Sequence, residues 1–228
     1  MNTIDSSARP LRHTKSFVRR EGRFTPAQEK AWLLYWKEYG LTCNQQAITP
    51  EQIFLRAAPL VVEIGFGMGA SLLETAIHHP ESNFIGIEVH RPGIGALLHH
   101  MHAQQIKNIR IYCEDAVDVL THALPKNSVD RFCIFFPDPW PKSRHHKRRL
   151  IQPRFVTLLA SRLKISGIVH LATDWEEYAT HMREVFSQSS LMQPATTCIH
   201  ADRPFTKYEA RAKKLGHTVQ DLIFAKIT

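Results

Sequence analysis

From residue 59 onward, short apolar runs alternate with amphipathic stretches along most of the chain. The apolar runs are rich in Val, Ile and Phe, and their length is typical of buried strands. In chain order they are LVVEIGFG, FIGIEVH, IRIYCED, DRFCIFFP and GIVHLAT. Parallel strands need a crossover connection, usually a helix, so this alternation favours a mainly parallel sheet with helices on both faces. We therefore predict an α/β fold.

The connecting stretches have the spacing of apolar residues that amphipathic helices show. They are ASLLETAIHH, IGALLHHMHAQQ, AVDVLTHAL, residues 151–163 and residues 175–186. An earlier helix is predicted to begin after Thr25, which precedes a proline at the first helical position, and to end near Gly40. We expect a single domain over residues 24–228, preceded by a basic, flexible N-terminal arm over residues 1–23.

The balance of charge favours a polyanionic partner, because 29 Lys and Arg stand against 21 Asp and Glu. The four cysteines lack CxxC spacing, which argues against a zinc finger or a disulfide framework. The sequence has neither the apolar core of a signal peptide nor a run of about 20 apolar residues that could span a bilayer. We expect a soluble, cytoplasmic protein with no membrane association, and no obligate protein partner is evident.

A glycine-rich turn follows the first predicted strand, in the stretch EIGFGMGA. Gly65, Gly67 and Gly69 let the backbone turn tightly and approach a ligand before a helix begins at about Ser71. Such a turn also serves dinucleotides, but a negative charge on Glu63 just before it would repel a pyrophosphate. That charge suits the sulfonium and amino-acid portions of S-adenosylmethionine, which carries no phosphate.

Two further acids stand where the next two predicted strands end. Glu88 ends the second strand, where a carboxylate can accept both hydroxyl hydrogen bonds of a ribose in either NAD or S-adenosylmethionine. Asp115 ends the third strand, where it can accept a hydrogen bond from an adenine amino group or act as a loop residue or a helix cap. Because the carboxyl ends of parallel strands meet at one edge of a sheet, these acids and Glu63 together favour a cofactor site.

The fourth predicted strand runs into Pro137-Asp138-Pro139-Trp140 and then into the densely basic stretch KSRHHKRR. Each proline fixes its own backbone φ and biases its predecessor toward extended geometry, so Asp138 is held rigidly. Rigidity at this edge is expected of a catalytic group, and the alternative is a stiffened loop with Asp138 as a helix cap. Positive charge is unfavourable at a helix N-terminus, and phosphate binding would compensate for it.

With these motifs the chain resembles the bacterial tRNA (guanine-N7)-methyltransferases, a family of class I S-adenosylmethionine-dependent methyltransferases with a Rossmann-like fold. The resemblance covers roughly residues 15–225 and rests on VVEIGFGMGASL, FIGIEVHRPGIGALL, FFPDPWPKSRHHKRR, ATDWEEYA and RPFTKYEARAKKLGH. It implies methyl transfer from S-adenosylmethionine to N7 of a guanine in tRNA, at position 46 in the variable loop. It implies tRNA as the partner, and methyl transfer of this kind needs no metal ion.

The resemblance also implies roles for individual residues. S-adenosylmethionine would contact Glu63, Glu88, Asp115 and Asp138 beside the glycine turn, and Asp138 would also be the catalytic residue. Substrate binding would fall to Lys142, Asp174, Thr206, Lys207, Tyr208 and Glu209. RNA binding would fall to Arg144, His145, His146, Lys147, Arg148 and Arg149.

Three other functions stay open at the level of sequence. A nicotinamide-dependent oxidoreductase shares the fold and Glu88 but leaves Glu63 and the PDPW turn unexplained. A non-catalytic RNA-binding module explains the charge but not the acids at the strand ends. Methylation of an exocyclic amine is the nearest alternative, because proline-flanked turns also serve amino-group chemistry.

Overall fold

The computed structural model describes residues 22–44, 46–195 and 203–228, so most of the predicted arm over residues 1–23 lies outside the described residues. The helices are α1 Pro26–Tyr39, α2 Pro50–Phe54, α3 Ala70–His78, α4 Arg91–Ala103, α5 Ala116–His122, α6 Pro153–Arg162, α7 Glu176–Ser187 and α8 Lys207–Lys214. The strands are β1 Gly40–Leu41, β2 Leu60–Ile64, β3 Asn83–Ile87, β4 Ile109–Tyr112, β5 Val129–Phe135, β6 Leu163–Thr173, β7 Met192–Pro194 and β8 Gln220–Lys226. A 3-10 helix, Ser143–Arg148, lies between β5 and α6.

These strands form one sheet in the order β1-β4-β3-β2-β5-β6-β8-β7. The first six in this order pair in parallel, and β8 runs antiparallel to both β6 and β7. The chain moves outward from β2 through β3 to β4 and then returns to place β5 on the other side of β2. Open α/β sheets bind ligands at such a reversal, in the crevice beyond the carboxyl ends of the strands.

Apolar side chains cover both faces of the sheet. Phe84 of β3 packs with residues of α1, α3 and α4 on one face. Its neighbour Ile85, with Ile87, packs with residues of α5, α6 and α7 on the other face. The whole of β3 is buried, as expected for a central parallel strand covered on both sides. The predicted fold, a mainly parallel Rossmann-like sheet with helices on both faces, is confirmed.

The later strands differ from the sequence prediction. β6 begins at Leu163, directly after α6 and four residues before the predicted start at Gly167, and its register with β5 shifts between Val129 and Arg131. β8, which contains the apolar run LIFA, was not among the predicted strands. It forms because β6 and β7 flank it and because Phe224 stacks on Phe186 with ring centroids 4.0 Å apart.

The described residues contain no helix that is both long and apolar enough to cross a lipid bilayer.

Candidate active site

A cleft of about 440 Å³ lies at the switch point, beyond the carboxyl ends of β2, β3, β4 and β5. Each of these strands contributes to its wall: Gly65 and Gly67 after β2, Glu88 after β3, Asp115 after β4 and Asp138 after β5. The structure therefore brings together most of the residues that the sequence assigned to one cofactor site. The volume is in the range of pockets that hold a small organic ligand.

The glycine turn has a backbone that favours glycine at each predicted position. Gly65, Gly67 and Gly69 all have positive φ, between 59° and 79°, a region that other residues enter at a cost. A Cβ placed on Gly65 would meet nothing within 4 Å, so the side of the turn at Gly65 is open space. At Gly69 a Cβ would come within 2.8 Å of the Leu97 side chain, so this glycine lets α3 approach α4. The turn thus serves both ligand access and packing.

Glu88 ties the glycine turn to the end of β3. Its Oε2 accepts a hydrogen bond from the backbone N–H of Gly67 at 2.8 Å, and its Oε1 accepts from Val89 at 2.6 Å and His90 at 2.9 Å. Because each carboxylate oxygen has two lone pairs, Oε2 keeps acceptor capacity for a ligand hydroxyl. One side chain therefore both shapes the turn and faces the cleft.

Glu63, near the end of β2, is only 6% exposed. Burial raises the pKa of its carboxyl to about 8, because the charged form loses hydration, an effect that Arg131 partly offsets and Glu88 reinforces. The carboxyl is therefore mostly protonated at neutral pH. The sequence-based assumption of a standing negative charge beside the turn is wrong for the protein without a bound cation. A cationic group brought next to Glu63 would favour its ionised form.

Asp115 caps a helix as well as lining the cleft. Its Oδ1 accepts a hydrogen bond from the backbone N–H of Val117 at 2.9 Å, and it occupies the N-cap of α5. Asp115 therefore acts as a helix cap through Oδ1, which was one of the alternatives that the sequence left open. Its place in the wall of the cleft keeps a contact with a ligand in reach.

The PDPW turn projects Asp138 into the same cleft from the end of β5. Phe136, directly before the turn, and Trp140, its last residue, have φ of 52° and 45°, in the left-handed region that bulky side chains rarely adopt. Phe136 therefore does not have the extended geometry expected before a proline. Such strain persists only where surrounding contacts fix the backbone, and it is found preferentially at functional sites. Asp138 itself is exposed at the mouth of the cleft.

The basic stretch after the turn forms the 3-10 helix and packs on Trp140. The Arg148 guanidinium lies 5.1 Å from the centroid of the Trp140 ring, and the His145 ring meets it edge-on at 5.8 Å. Lys142, Arg144 and Lys147 are exposed. Partial desolvation and the neighbouring positive charges lower the pKa of His145. This basic strip, residues 142–148, presents its cations to solvent directly beside the cleft.

Arg149 does not belong to this exposed strip, although the sequence placed it there. Its side chain is only 1% exposed, and its Nε donates to the Pro139 carbonyl at 2.9 Å. The same guanidinium donates to Glu177 at 3.0 Å and stands over the Tyr178 ring. A side chain buried in this way cannot reach an RNA phosphate, so the prediction that Arg149 binds RNA is wrong. Arg149 has a structural role instead. It holds the PDPW turn against α7.

The predicted substrate segment, residues 206–209, forms the N-cap and first turn of α8, beside the glycine turn. Thr206 is the N-cap, and its hydroxyl accepts from the backbone N–H of Glu209 at 3.2 Å. The Tyr208 ring stacks on Phe136 with centroids 5.8 Å apart and lines the cleft. The Lys207 ammonium lies 5.1 Å from the Tyr208 ring centroid. The structure therefore places this distant segment next to the PDPW turn.

Asp174 lies in a second, acidic cleft, formed by the start of α7 and the turn before β8. Its Oδ2 is 3.3 Å from Nδ1 of His217, a residue that the sequence analysis did not single out. Within the described part of the chain, Asp174 does not line the cleft at the switch point. No group of three or more His, Cys, Asp and Glu side chains among the described residues has an arrangement that could hold a metal ion.

Comparison with known proteins agrees with this geometry. A family model described as "Putative methyltransferase" matches residues 57–222. A protein from Shewanella amazonensis named tRNA (guanine-N(7)-)-methyltransferase is 51% identical over 222 residues, which cover 95% of this chain and 93% of that protein. The chain belongs to the tRNA (guanine-N7)-methyltransferase family. A protein of the same name from Alcanivorax borkumensis is 48% identical over 95% of this chain and 92% of its own length.

The family membership predicted from the motifs is thereby confirmed. Among solved structures, the 16S rRNA methyltransferase KamB aligns with a TM-score of 0.56 over 78% of this chain and 92% of that chain. The two sequences are only 10% identical, so this likeness supports the methyltransferase fold alone. The family's fold is therefore shared with enzymes whose substrates differ.

Proposed function

We propose that the protein transfers a methyl group from S-adenosylmethionine to N7 of a guanine in tRNA. The observation that carries this proposal is the convergence of Glu88, Asp115 and the rigid Asp138 turn on one cleft at the switch point. The names of its relatives supply the substrate class and the acceptor atom. The resemblance to the family adds position 46 of the variable loop as the target.

The residues of the cleft, with Glu63 and Gly69 in the pocket beside it, support the proposal that S-adenosylmethionine binds here. Open space beside Gly65 leaves room for the amino-acid portion, and buried Glu63 offers a carboxyl that ionises beside a cation. We propose that Glu88 accepts from the ribose hydroxyls and that Asp115 accepts from the adenine amino group. Gly67 and Gly69 complete the turn that these groups flank.

The chemistry requires positioning more than proton transfer. When bound, S-adenosylmethionine supplies an electrophilic methyl group on a sulfonium. Guanine N7 has an in-plane lone pair and no proton, so the protein has to align the base with that methyl group and stabilise the positive charge that the purine gains. We propose that the Asp138 carboxylate, held rigidly at the mouth of the cleft, provides this stabilisation.

The other predicted residues are assigned to binding of the target guanine and of the tRNA around it. We propose that a carboxylate at Asp174 or Glu209 accepts from the N1–H and N2–H edge of guanine, which distinguishes guanine from adenine. Thr206, Lys207 and Tyr208 would contact the substrate from α8, and Lys142 from the end of the PDPW turn. The cations of Arg144, Lys147 and Arg148, with His145 and His146 between them, would bind tRNA phosphates, joined by the arm over residues 1–23.

The direct test is incubation of the purified protein with methyl-labelled S-adenosylmethionine and unmodified tRNA, followed by nucleoside analysis. Label in 7-methylguanosine, lost when guanine 46 of the tRNA is replaced by adenine, is the expected result. Label in an N-methylated amino group of another nucleoside would refute the assignment of N7. Binding of NAD in place of S-adenosylmethionine would point to an oxidoreductase, and tRNA binding without any transfer to a binding module.

The affinity for S-adenosylmethionine should rise with pH and then level off near pH 8. The free protein holds a proton on Glu63 with a pKa of about 8, whereas a bound cation lowers that pKa, so binding releases a proton below this value. The dissociation constant should fall by up to about tenfold per pH unit below about pH 8. Calorimetry in two buffers of different ionisation enthalpy measures the protons released.

Glu63→Gln is the matched control for this pH dependence, because it keeps the shape of the side chain and cannot ionise. Any proton release that belongs to the amino group of the ligand persists in this variant. Proton release that is equal in the wild-type protein and in Glu63→Gln would show that Glu63 does not ionise on binding.

Removing two exposed cations of the strip should weaken tRNA binding in a salt-dependent way. Each phosphate contact contributes about 0.7–0.9 to the slope of log affinity against log salt concentration. The double variant Arg144→Gln and Lys147→Gln should therefore reduce that slope by about 1.5 and raise the KM for tRNA, with little change in kcat. Filter binding at several salt concentrations measures the slope.

Lys126→Gln together with Lys164→Gln is the control for this experiment. These exposed lysines lie near the amino ends of β5 and β6, at the edge of the sheet opposite the cleft. The control pair removes the same net charge and should leave the slope within about 0.3 of wild type. If both double variants reduce the slope of log affinity against log salt concentration equally, tRNA binding depends only on the overall charge of the protein.

A further inference from the structure

Arg203 joins two carboxylates at the base of the predicted substrate segment. Its Nε and one terminal nitrogen donate to the two oxygens of Asp221 in β8, at 2.9 and 3.2 Å. Its other terminal nitrogen donates to Oε2 of Glu209 in α8 at 2.9 Å. The three side chains are 7%, 13% and 16% exposed for Arg203, Asp221 and Glu209. Planar guanidinium geometry suits such a double bridge, which a lysine cannot reproduce.

The same guanidinium supports the aromatic wall beside the PDPW turn. Its central carbon lies 5.7 Å from the centroid of the Phe135 ring and 5.8 Å from that of Phe136. Phe136 has the positive φ that begins the turn toward Asp138 and stacks on Tyr208. Arg203 therefore contacts both sides of the cleft wall, the strained end of β5 and the first turn of α8.

Asp221 is itself fixed from the interior of the sheet. Its Oδ1 is 2.8 Å from Nε2 of His170, which is fully buried in β6, and Nδ1 of His170 is 3.2 Å from a terminal nitrogen of Arg131. Burial lowers the pKa of His170, and the neutral tautomer with its proton on Nε2 satisfies both contacts. The chain of contacts from Arg131 through His170 and Asp221 gives Arg203 a rigid anchor.

We propose that Arg203 is a positioning residue that holds Glu209 and the Phe136–Tyr208 stack in place for the methyl acceptor. This inference rests on the proposed function, because it assumes that Glu209 meets the target base. Arg203 acts through these side chains and does not touch the substrate. With its guanidinium buried and donating to two carboxylates, it is not a phosphate-binding residue like the exposed cations of the strip.

Arg203→Met should lower kcat/KM for tRNA methylation by about 100-fold, because a shift of about 1 Å in an acceptor-binding group costs that much. The dissociation constant for S-adenosylmethionine should change by less than about threefold, since Glu88 and the glycine turn are left intact. Arg183→Met is the matched control. Arg183 lies on α7, is exposed, and donates to Gln220, the residue next to Asp221 in β8. The control should keep wild-type kcat/KM.

A double-mutant cycle separates positioning from general support of the fold. Because Arg203 acts partly through Glu209 and partly through the Phe136–Tyr208 stack, the double variant Arg203→Met and Glu209→Gln should lose clearly less activity than the product of the two single losses. Losses that multiply, or an Arg203→Met variant as active as Arg183→Met, would overturn the inference. Wild-type protein that fails to methylate tRNA would instead contradict the proposed function first.

Arg203→Lys keeps the inference testable if the methionine variant does not fold. It retains a positive charge between Asp221 and Glu209, and it lacks the fork that bonds both. We expect it to fold and to lose about tenfold in kcat/KM, with cofactor affinity unchanged. Full activity in Arg203→Lys would show that the charge alone suffices and that the double bridge has no positioning role.

Discussion

Replacing Asp138 with asparagine should lower kcat for tRNA methylation by about 100- to 1000-fold, the loss typical of removing one preorganised electrostatic group. The substitution keeps the size of the side chain and removes its negative charge. Between the two prolines the backbone is fixed, so the asparagine occupies the same place at the mouth of the cleft. The expected loss therefore reports charge rather than geometry.

The cofactor affinity of Asp138→Asn separates two roles. If the carboxylate stabilises the charge that develops on guanine, the dissociation constant for S-adenosylmethionine should stay within about threefold of wild type while kcat falls. Rapid-quench kinetics under single-turnover conditions measure the chemical step. Asp118→Asn, which neutralises an exposed carboxylate on α5, is the control. Equal loss of affinity and rate in Asp138→Asn would assign the residue to cofactor binding alone.

Glu88→Gln should raise the dissociation constant for S-adenosylmethionine by about 10- to 100-fold. Oε1 of Glu88 already accepts from Val89 and His90, and Oε2 accepts from Gly67, so one acceptor site remains for a ribose hydroxyl. A hydrogen bond from that hydroxyl to the carboxylate is worth about 1.5–3 kcal/mol. The same substitution places an N–H₂ group against the backbone N–H groups of Gly67 or of Val89 and His90. The glycine turn should therefore loosen as well.

Discrimination between ribose and deoxyribose separates these two consequences of Glu88→Gln. Wild-type protein should bind the product S-adenosylhomocysteine about tenfold or more tightly than its 2′-deoxy analogue, and Glu88→Gln should lose most of that preference. Isothermal calorimetry with both ligands measures it, and the melting temperature reports the state of the turn. An undiminished preference in Glu88→Gln would show that Glu88 supports the turn without touching the ribose.

The sequence itself determined the class of fold and the edge of the sheet at which the cleft lies. Apolar runs alternating with amphipathic stretches predict a parallel sheet, because parallel strands need crossover connections and these are usually helices. The carboxyl ends of those strands must then meet at one edge, so the sequence alone assigns the glycine turn, Glu88 and Asp115 to one cleft. These are local signals whose geometric consequence is fixed by topology.

Properties that depend on burial could be decided only by the tertiary structure. Arg149 and Arg144 belong to one basic run in the sequence, yet one lies under the PDPW turn with Glu177 and the other faces solvent. Glu63 reads as a charge in the sequence, whereas its desolvation raises the pKa to about 8. Both outcomes depend on which chain segments exclude water, and no local pattern records that.

Contacts between distant segments were equally hidden. Arg203 stands before a helix that resemblance had already assigned to the substrate, but its bridge from Glu209 to Asp221 requires β8, a strand that the sequence did not predict. β8 forms because β6 and β7 provide hydrogen-bonding partners on both sides. The sequence thus determined which residues lie at the carboxyl ends of the strands, because the alternation of strands and helices makes successive strands parallel. The structure decided which side chains support the cleft, because side-chain partners follow from packing.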